Sequence, residues 1–587
     1  MSSGLQSDLA FAPPNVDVDK RADGTLILRC PLALSAYPRA VGEWLIRWAG
    51  KAPERVVLAE RSAEVWRKVT YAQALEAVRR IGEALLARGL SADRPVAILS
   101  DNSVDHALLA LGAMHAGIPV APLSPAYSLM SKDHAKLKRV FELLQPGLVF
   151  AEVPEKFAAA LAAVGMEHTP LDDLLKVEAG ARIDAAFAAV GPDTIAKILF
   201  TSGSTGAPKG VINTHRMLCS NQQSWAQLWP FVESTPPVLC EWLPWNHTFG
   251  GNATFNMVLR NGGTLYVDTG KPAPGLVDIT VRNLREISPT MYFNVPREFD
   301  LLLPFLETDA ALRKNFFRRL DVVFYAGAAL PQNLWERLEV LAAKEKEGKL
   351  AMLSAWGSTE TSPMAACVHR HIDRAGVVGL PGPGTELKLV PSGGKLEVRV
   401  RGPNVTPGYY RRDDLTAAAF DADGYYRIGD AMKFADAEDA SKGIVFDGRV
   451  AEDFKLSSGT WVHVGAVRVR LIAACDPLVQ DAVITGHDRD FVGALVFVNP
   501  AAVKALGLDA AGVKAHLHKA LAKLQAGATG TSTAPARLVI ADEPPSIDAN
   551  EITDKGYINQ RAVLERRAAL VEALHAGAQD VILAVSG

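Results

Sequence analysis

Residues 196–210 constrain this chain more than any other segment. Ala196–Phe200 (AKILF) is an apolar run of strand length that leads directly into Thr201-Ser202-Gly203-Ser204-Thr205-Gly206-Ala207-Pro208-Lys209-Gly210. Thr214 then stands where a helix N-cap belongs, ahead of His215. The hydroxyls of Thr201, Ser202, Ser204 and Thr205 can surround phosphate oxygens. Glycines 203, 206 and 210 let backbone amides approach a ligand, and Lys209 supplies a mobile positive charge. Such a loop suits a polyphosphate. It is not a Walker A loop, which needs Gly-Lys-Ser/Thr where Pro208-Lys209-Gly210 stand here.

The surrounding pattern is α/β. Tyr71–Arg88 places Leu75, Val78, Ile81, Leu85 and Leu86 on one helical face, Val96–Leu99 reads as a buried strand, 106–116 is again helical, and Val120 begins another extended piece. Strands alternating with helices imply a mostly parallel sheet covered on both faces. Lys395–Arg401 differs: Leu396, Val398 and Val400 alternate with charged residues, which predicts a half-exposed, antiparallel strand. Beyond Gly448 come short strands at Val479–Thr485 and Ala494–Val498 and helices at Val513–Leu524 and Gln560–Leu574, the pattern of a small α+β domain. At 587 residues one core does not suffice, and we expect a large domain over residues 1–448 and a small one over 449–587.

Composition narrows the function. With 62 Lys and Arg against 65 Asp and Glu, the net charge is −3, without the basic excess that nucleic-acid binding needs. Five scattered cysteines fit neither a disulfide framework nor paired zinc ligands, so a cytoplasmic setting is expected. No secretory signal is visible at the N-terminus. The longest apolar run, Ala107–Leu123, is too short to span a bilayer and reads as a buried helix followed by a strand. His369 and His371 have no HExxH or CxxC partner and are expected in a loop or on the surface.

Downstream segments extend the polyphosphate reading. Trp356-Gly357-Ser358-Thr359-Glu360-Thr361, Tyr325–Pro331, Tyr426-Arg427-Ile428-Gly429-Asp430 and Gly448-Arg449 follow the loop in order. Together with the loop, they resemble the adenylate-forming superfamily of acyl-CoA synthetases, luciferases and peptide-synthetase adenylation domains. The resemblance implies a large multi-sheet α/β N-terminal domain of adenylate-forming type and a mobile α+β C-terminal domain. It gives Trp356 and Gly357 the adenine, with Gly327, Ala328 and Ala329 as the small-residue turn beside it. It gives Thr359 the α-phosphate, Glu360 the Mg²⁺, and Asp430 and Arg449 the ribose. Lys555, in Asn550–Gly556, matches the family's C-terminal catalytic lysine. Ala451 stands where the family's hinge has Asp or Lys, Trp356 where Tyr or Phe is commoner, and Gly556 follows the lysine rather than preceding it.

Within that superfamily, Leu243–Gly251 (LPWNHTFGG), Val450–Lys455 and Ile552–Gln560 look like bacterial feruloyl-CoA synthetases. The implied reaction is attack of a carboxylate on MgATP with loss of pyrophosphate, then displacement of AMP by CoA entering beside the Lys455–Gly459 loop. His247 is expected as a gate, and Phe249, Gly250, Phe293, Asn294, Val295 and Pro296 as the lining of a pocket for a planar aromatic acid such as ferulate. A fatty-acyl or other aryl-CoA ligase and a stand-alone enzyme loading a carrier protein are the alternatives, and a monomer or homodimer is expected. A dinucleotide oxidoreductase is excluded, because Gly382 and Gly384 are followed by Leu387 where GxGxxG requires glycine. A non-catalytic nucleotide sensor would have little need for both Glu360 and Lys555.

Overall fold

The computed structural model describes residues 9–202, 207–553, 556–578 and 580–583. Three sheets build the body that precedes residue 450. In the first, strands Leu148–Phe150, Val96–Ile98, Val120–Pro122 and Ile195–Ser202 run parallel, and Pro208–Thr214 closes the edge antiparallel to the last of them. The helix Val104–His115 packs beside this sheet and against the helix Tyr71–Ala87, which is started by a Thr70/Gln73 capping box. A second sheet orders its strands as Val238–Glu241, Thr264–Val267, Val56–Ser62 and Val65–Thr70.

The third sheet has eleven strands among the described residues. Met291–Asn294, Val322–Tyr325 and Ala351–Gly357 are parallel, and from Met364–Cys367 onward the sheet becomes antiparallel through Val377–Pro381, Ile444–Arg449, Tyr426–Phe434 and Lys395–Arg401. On Lys395–Arg401, Val398 and Val400 are buried while Arg401 is exposed, as the alternation predicts.

Beyond residue 450 a separate core gathers Leu456, Val462, Leu471, Ile484, Val496, Leu517 and Leu538. It lies under a sheet ordered Val479–Thr485, Gly493–Val498, Arg537–Ile540 and Ile582–Leu583. Gln560–Leu574 is not one helix: it breaks at Arg567 into Gln560–Arg566 and Ala568–Ala576. The Arg567 backbone leaves helical geometry (φ −101°, ψ 31°) while its guanidinium is held by Glu551 at 2.7 Å and by the carbonyls of Glu543 and Pro544.

A second difference concerns the glycine-rich segment. Pro208–Thr214 is a strand paired with Ile195–Ser202 from Thr214 up to Pro208, so Thr201 and Lys209 face each other across a hairpin. Thr214 then caps the helix His215–Leu228 by accepting from Met217 N at 3.3 Å. All five cysteines are free. Among the described residues no helix is long and apolar enough to cross a membrane. His369 lies in a loop but is buried rather than on the surface, its Nδ1 3.0 Å from the Cys367 carbonyl; His371 is half-buried, edge-on to Phe11.

Candidate active site

The glycine-rich hairpin delivers Lys209 to a buried group of hydroxyls and acid. Lys209 Nζ lies 3.3 Å from Glu360 Oε1 and donates to Tyr409 Oη at 2.7 Å. Tyr409 Oη in turn donates to Glu360 Oε1 at 3.0 Å and sits 3.4 Å from Tyr426 Oη. Burial pushes the Glu360 carboxyl up, but Lys209 overrides it and holds the group below the ordinary carboxylate range. Burial likewise lowers Lys209, and Glu360 raises it back above its usual value. The pair is therefore charged in the folded protein. Glycines 203 and 206, Ser204 and Thr205 lie outside the described residues, as does Lys555.

Glu360 reaches this position through a tight turn. The strand Ala351–Gly357 ends at Gly357, where an added Cβ would fall 1.7 Å from the Pro363 carbonyl, so glycine is required. A 3₁₀ turn over Thr359–Thr361 follows, with Ser358 N donating to Thr361 Oγ1 at 2.8 Å. Thr359 and Glu360 are both buried there.

Beside this turn, Trp356 Nε1 donates to Asp430 Oδ2 at 2.9 Å, and Arg449 Nε stands 3.7 Å from Asp430 Oδ1. Asp430 and Arg449 are register partners on neighbouring strands, which explains why a motif in one and an arginine in the other meet. Burial raises the Asp430 carboxyl; Arg449 and Trp356 act against it.

Gly327 (φ +84°), Ala328 and Ala329 form an exposed turn after Val322–Tyr325. A Cβ at Gly327 would meet Tyr557 Oη at 2.8 Å, so the segment after Lys555 reaches over this turn. The segment before Lys555 is tied to the larger body as well: Lys136 Nζ donates to the Ile547 carbonyl, and Lys132 N to Asp548 Oδ2 at 3.2 Å. Lys455 and Gly459 lie apart from this crossing, in a hairpin whose Trp461 ring packs against Gly393 in the turn after Glu386–Ser392. Lys455 Nζ covers that ring at 5.0 Å.

The acyl-pocket expectation resolves into two kinds of residue. Phe249 opens a π-helix over Phe249–Thr254, a form of helix that occurs often at functional sites. A Cβ at Gly250 would strike the Leu243 carbonyl at 2.2 Å and one at Gly251 the Trp245 carbonyl at 2.3 Å, so both glycines let this helix lie on the 243–245 backbone. The Phe249 ring meets Phe324 at 5.8 Å and Phe293 at 6.4 Å, and Phe293 and Phe324 are 4.7 Å apart. His247 is half-buried one turn earlier, its carbonyl accepting from Gly251 N at 2.7 Å. Asn294 is fully buried and serves the backbone: its Oδ1 accepts from Val295 N at 2.9 Å, while Pro296 starts the helix Pro296–Thr308.

Sequence reading missed Tyr409 and Phe324. Phe324 sits in an apolar VVFY strand that signals core only, and Tyr409 carries no charge that would mark it.

Comparison with known proteins adds a family to this geometry. Residues 45–410 match the model described as AMP-binding enzyme, and residues 456–579 match the AMP-binding enzyme C-terminal domain. An indenyl-propanoyl:CoA ligase from Mycobacterium tuberculosis is 29% identical over 507 residues, covering 83% of this chain and 94% of its own length. A feruloyl-CoA synthase from an Amycolatopsis species is 27% identical over 425 residues, covering 67% of this chain and 79% of its own. Among solved structures, the O-succinylbenzoate coenzyme A synthetase of Bacillus subtilis in complex with AMP superposes with a TM-score of 0.67 at 19% identity, covering 90% of this chain and 98% of that one. This last likeness is one of fold.

Proposed function

The chain belongs to the AMP-binding enzyme family as an AMP-forming acyl-CoA synthetase, and from that premise we propose that the acid it activates is ferulate or a closely related hydroxycinnamate. The observation that supports the adenylation underlying this reading is three groups built by the elements named above. Lys209, Tyr409 and Glu360 form a charged phosphate-side cluster, Trp356, Asp430 and Arg449 form a nucleoside-side cluster, and the Tyr557 segment covers the turn between strand and solvent at Gly327.

Each side has a chemical task. On the nucleoside side, the two oxygens of Asp430 suit a pair of ribose hydroxyls and the flat Trp356 indole suits a purine. On the phosphate side, Lys209 and the hairpin hold the leaving pyrophosphate, where fixed positive charge stabilises the charge that develops on it. Among the described residues no group of three or more His, Cys, Asp or Glu could hold a metal. A single buried carboxylate at Glu360 instead fits a cation that ATP brings with it, and Mg²⁺ is commonly held by one carboxylate plus substrate phosphates. Bound there, Mg²⁺ would neutralise phosphate charge.

We assign Lys555 to the reacting carboxylate and α-phosphate. Support comes from its neighbours: Gly556 N donates to the Thr553 carbonyl at 3.0 Å and Tyr557 lies against Gly327. Rotation of the small domain about 449–451 then withdraws Lys555 and lets CoA approach with the Lys455–Gly459 hairpin, so that thiol attack on the acyl carbon releases AMP. For the acid, the Phe249–Phe293–Phe324 cluster behind the His247 entrance supports a planar aromatic ring over a flexible chain. Acid-dependent exchange of pyrophosphate into ATP, run over hydroxycinnamates, benzoates and fatty acids, tests the assignment. Exchange with fatty acids alone would refute it.

A further inference from the structure

Tyr409 stands at the join of the phosphate hairpin and the Glu360 turn, and none of the motifs that identify the nucleotide site contains it. Its backbone belongs to the hairpin side: Tyr409 pairs with Val211, Tyr410 N donates to the Gly210 carbonyl at 2.8 Å, and Ile212 N donates to the Gly408 carbonyl at 3.2 Å. Three residues earlier the same segment grips the other side. Thr406 N donates to the Glu360 carbonyl at 2.8 Å while Thr406 Oγ1 donates to the Ile212 carbonyl at 2.7 Å, and Asn404 Nδ2 donates to the carbonyls of Thr361 and Met364. Residues 404–410 are thus a strap between the strand carrying Lys209 and the turn carrying Glu360.

The strap is fixed in place. Gly408 adopts φ +148°, where an added Cβ would meet the Thr416 side chain at 2.4 Å, and Tyr409 N donates to Thr416 Oγ1 at 2.9 Å. Tyr409 is 5% exposed, and its hydroxyl stands between Lys209 Nζ at 2.7 Å and Glu360 Oε1 at 3.0 Å, with Tyr426 Oη farther off at 3.4 Å.

We propose that Tyr409 is a positioning residue for the first half-reaction: its hydroxyl shares Lys209 and Glu360 between them and frees each for its own partner when MgATP arrives. The proposal rests on the nucleotide site described above. Without the hydroxyl, the two opposite charges, already 3.3 Å apart in a buried setting, close on each other. The lysine is then withheld from the β,γ-phosphates and the carboxylate from the cation those phosphates carry. With it, Tyr409 accepts from the ammonium and donates to the carboxylate, and remains on Glu360 after Lys209 swings to phosphate. AMP has no β,γ-phosphates to recruit either group, so its binding does not depend on this exchange.

The test is equilibrium binding of MgATP and of AMP to the full-length protein and to Tyr409→Phe, which needs no acid substrate. Losing a hydrogen bond to charged groups should weaken MgATP about tenfold or more, raise the Mg²⁺ concentration at half-saturation, and leave AMP affinity within about twofold. Tyr410→Phe, which removes a neighbouring hydroxyl that contacts neither group, serves as control and should change neither ligand. Unchanged MgATP affinity in Tyr409→Phe, equal weakening of AMP, or the same loss in Tyr410→Phe would overturn the role. A wild-type protein that binds AMP but not MgATP would overturn the phosphate side of the site itself.

Discussion

The indole N–H of Trp356 is hydrogen-bonded to the Asp430 carboxylate at 2.9 Å, although the two residues are 74 positions apart. Trp356 stands where the superfamily more often has Tyr or Phe, and this bond gives the difference a physical consequence: the indole N–H is a donor to that acid, which a Phe ring lacks. Asp430 is 8% exposed, so its charge depends on such donors. Trp356→Phe keeps a flat ring and loses the donor, and should raise the KM for ATP about three- to tenfold. Asp430→Ala, which removes the proposed ribose acceptor, should raise it further. An unchanged KM in Asp430→Ala would remove Asp430 from the nucleotide site.

A pH prediction comes from Lys197, on the first strand of the glycine-rich hairpin and opposite Asn213. It is 5% exposed, donates to the Gly251 carbonyl at 2.5 Å, and burial holds its amine down to about 7. The unfolded lysine titrates near 10.4, so between about 7 and about 10.4 the unfolded chain binds more protons and stability rises with pH. Below about 7 the burial cost is constant and at its largest. Lys197→Met should therefore be more stable than the wild type at pH 6.5, by roughly 1–3 kcal/mol after the lost hydrogen bond is counted, and the gap should shrink toward pH 9.5. Urea unfolding at both values measures it. A gap independent of pH would show that Lys197 does not titrate in this way.

How far the sequence carried is visible residue by residue. Local patterns placed the Tyr71 helix, the Thr214 cap and the alternating strand at Lys395, because periodicity and capping are properties of neighbouring residues. Asp430 and Arg449 were legible as motif members, and the sheet register explains their meeting. The strand Pro208–Thr214 was not legible, since its start at Pro208-Lys209-Gly210 reads as loop chemistry and pairing with Ile195–Ser202 overrides that signal. Tyr409 was invisible for a different reason: its function depends on Lys209, 200 residues away. The break at Arg567 likewise follows from contacts with Glu551 and the 543–544 backbone that no helical periodicity records.

The two half-reactions should separate in variants. Asp453, just beyond residue 450, is paired with Lys395 of the large sheet and with His463 at 2.9 Å, so Lys395 ties the large body to the part of the chain that brings Tyr557 to Gly327. Lys555→Ala should abolish ATP–pyrophosphate exchange while still converting supplied feruloyl-adenylate and CoA to the thioester. Lys395→Met should act in the same direction more mildly, slowing exchange about three- to tenfold, the range for loss of a buried charge partner shared with other donors. Equal loss of both halves in Lys555→Ala would sink its assignment to adenylation.

The most direct measurement is a single-turnover reaction of the wild-type protein with ferulate and MgATP, quenched and analysed first without CoA and then after CoA is added. The account predicts enzyme-bound feruloyl-adenylate and free pyrophosphate in the first sample, and feruloyl-CoA with one equivalent of AMP in the second. Formation of ADP and phosphate would contradict the account, and so would an adenylate that forms with fatty acids but with no hydroxycinnamate.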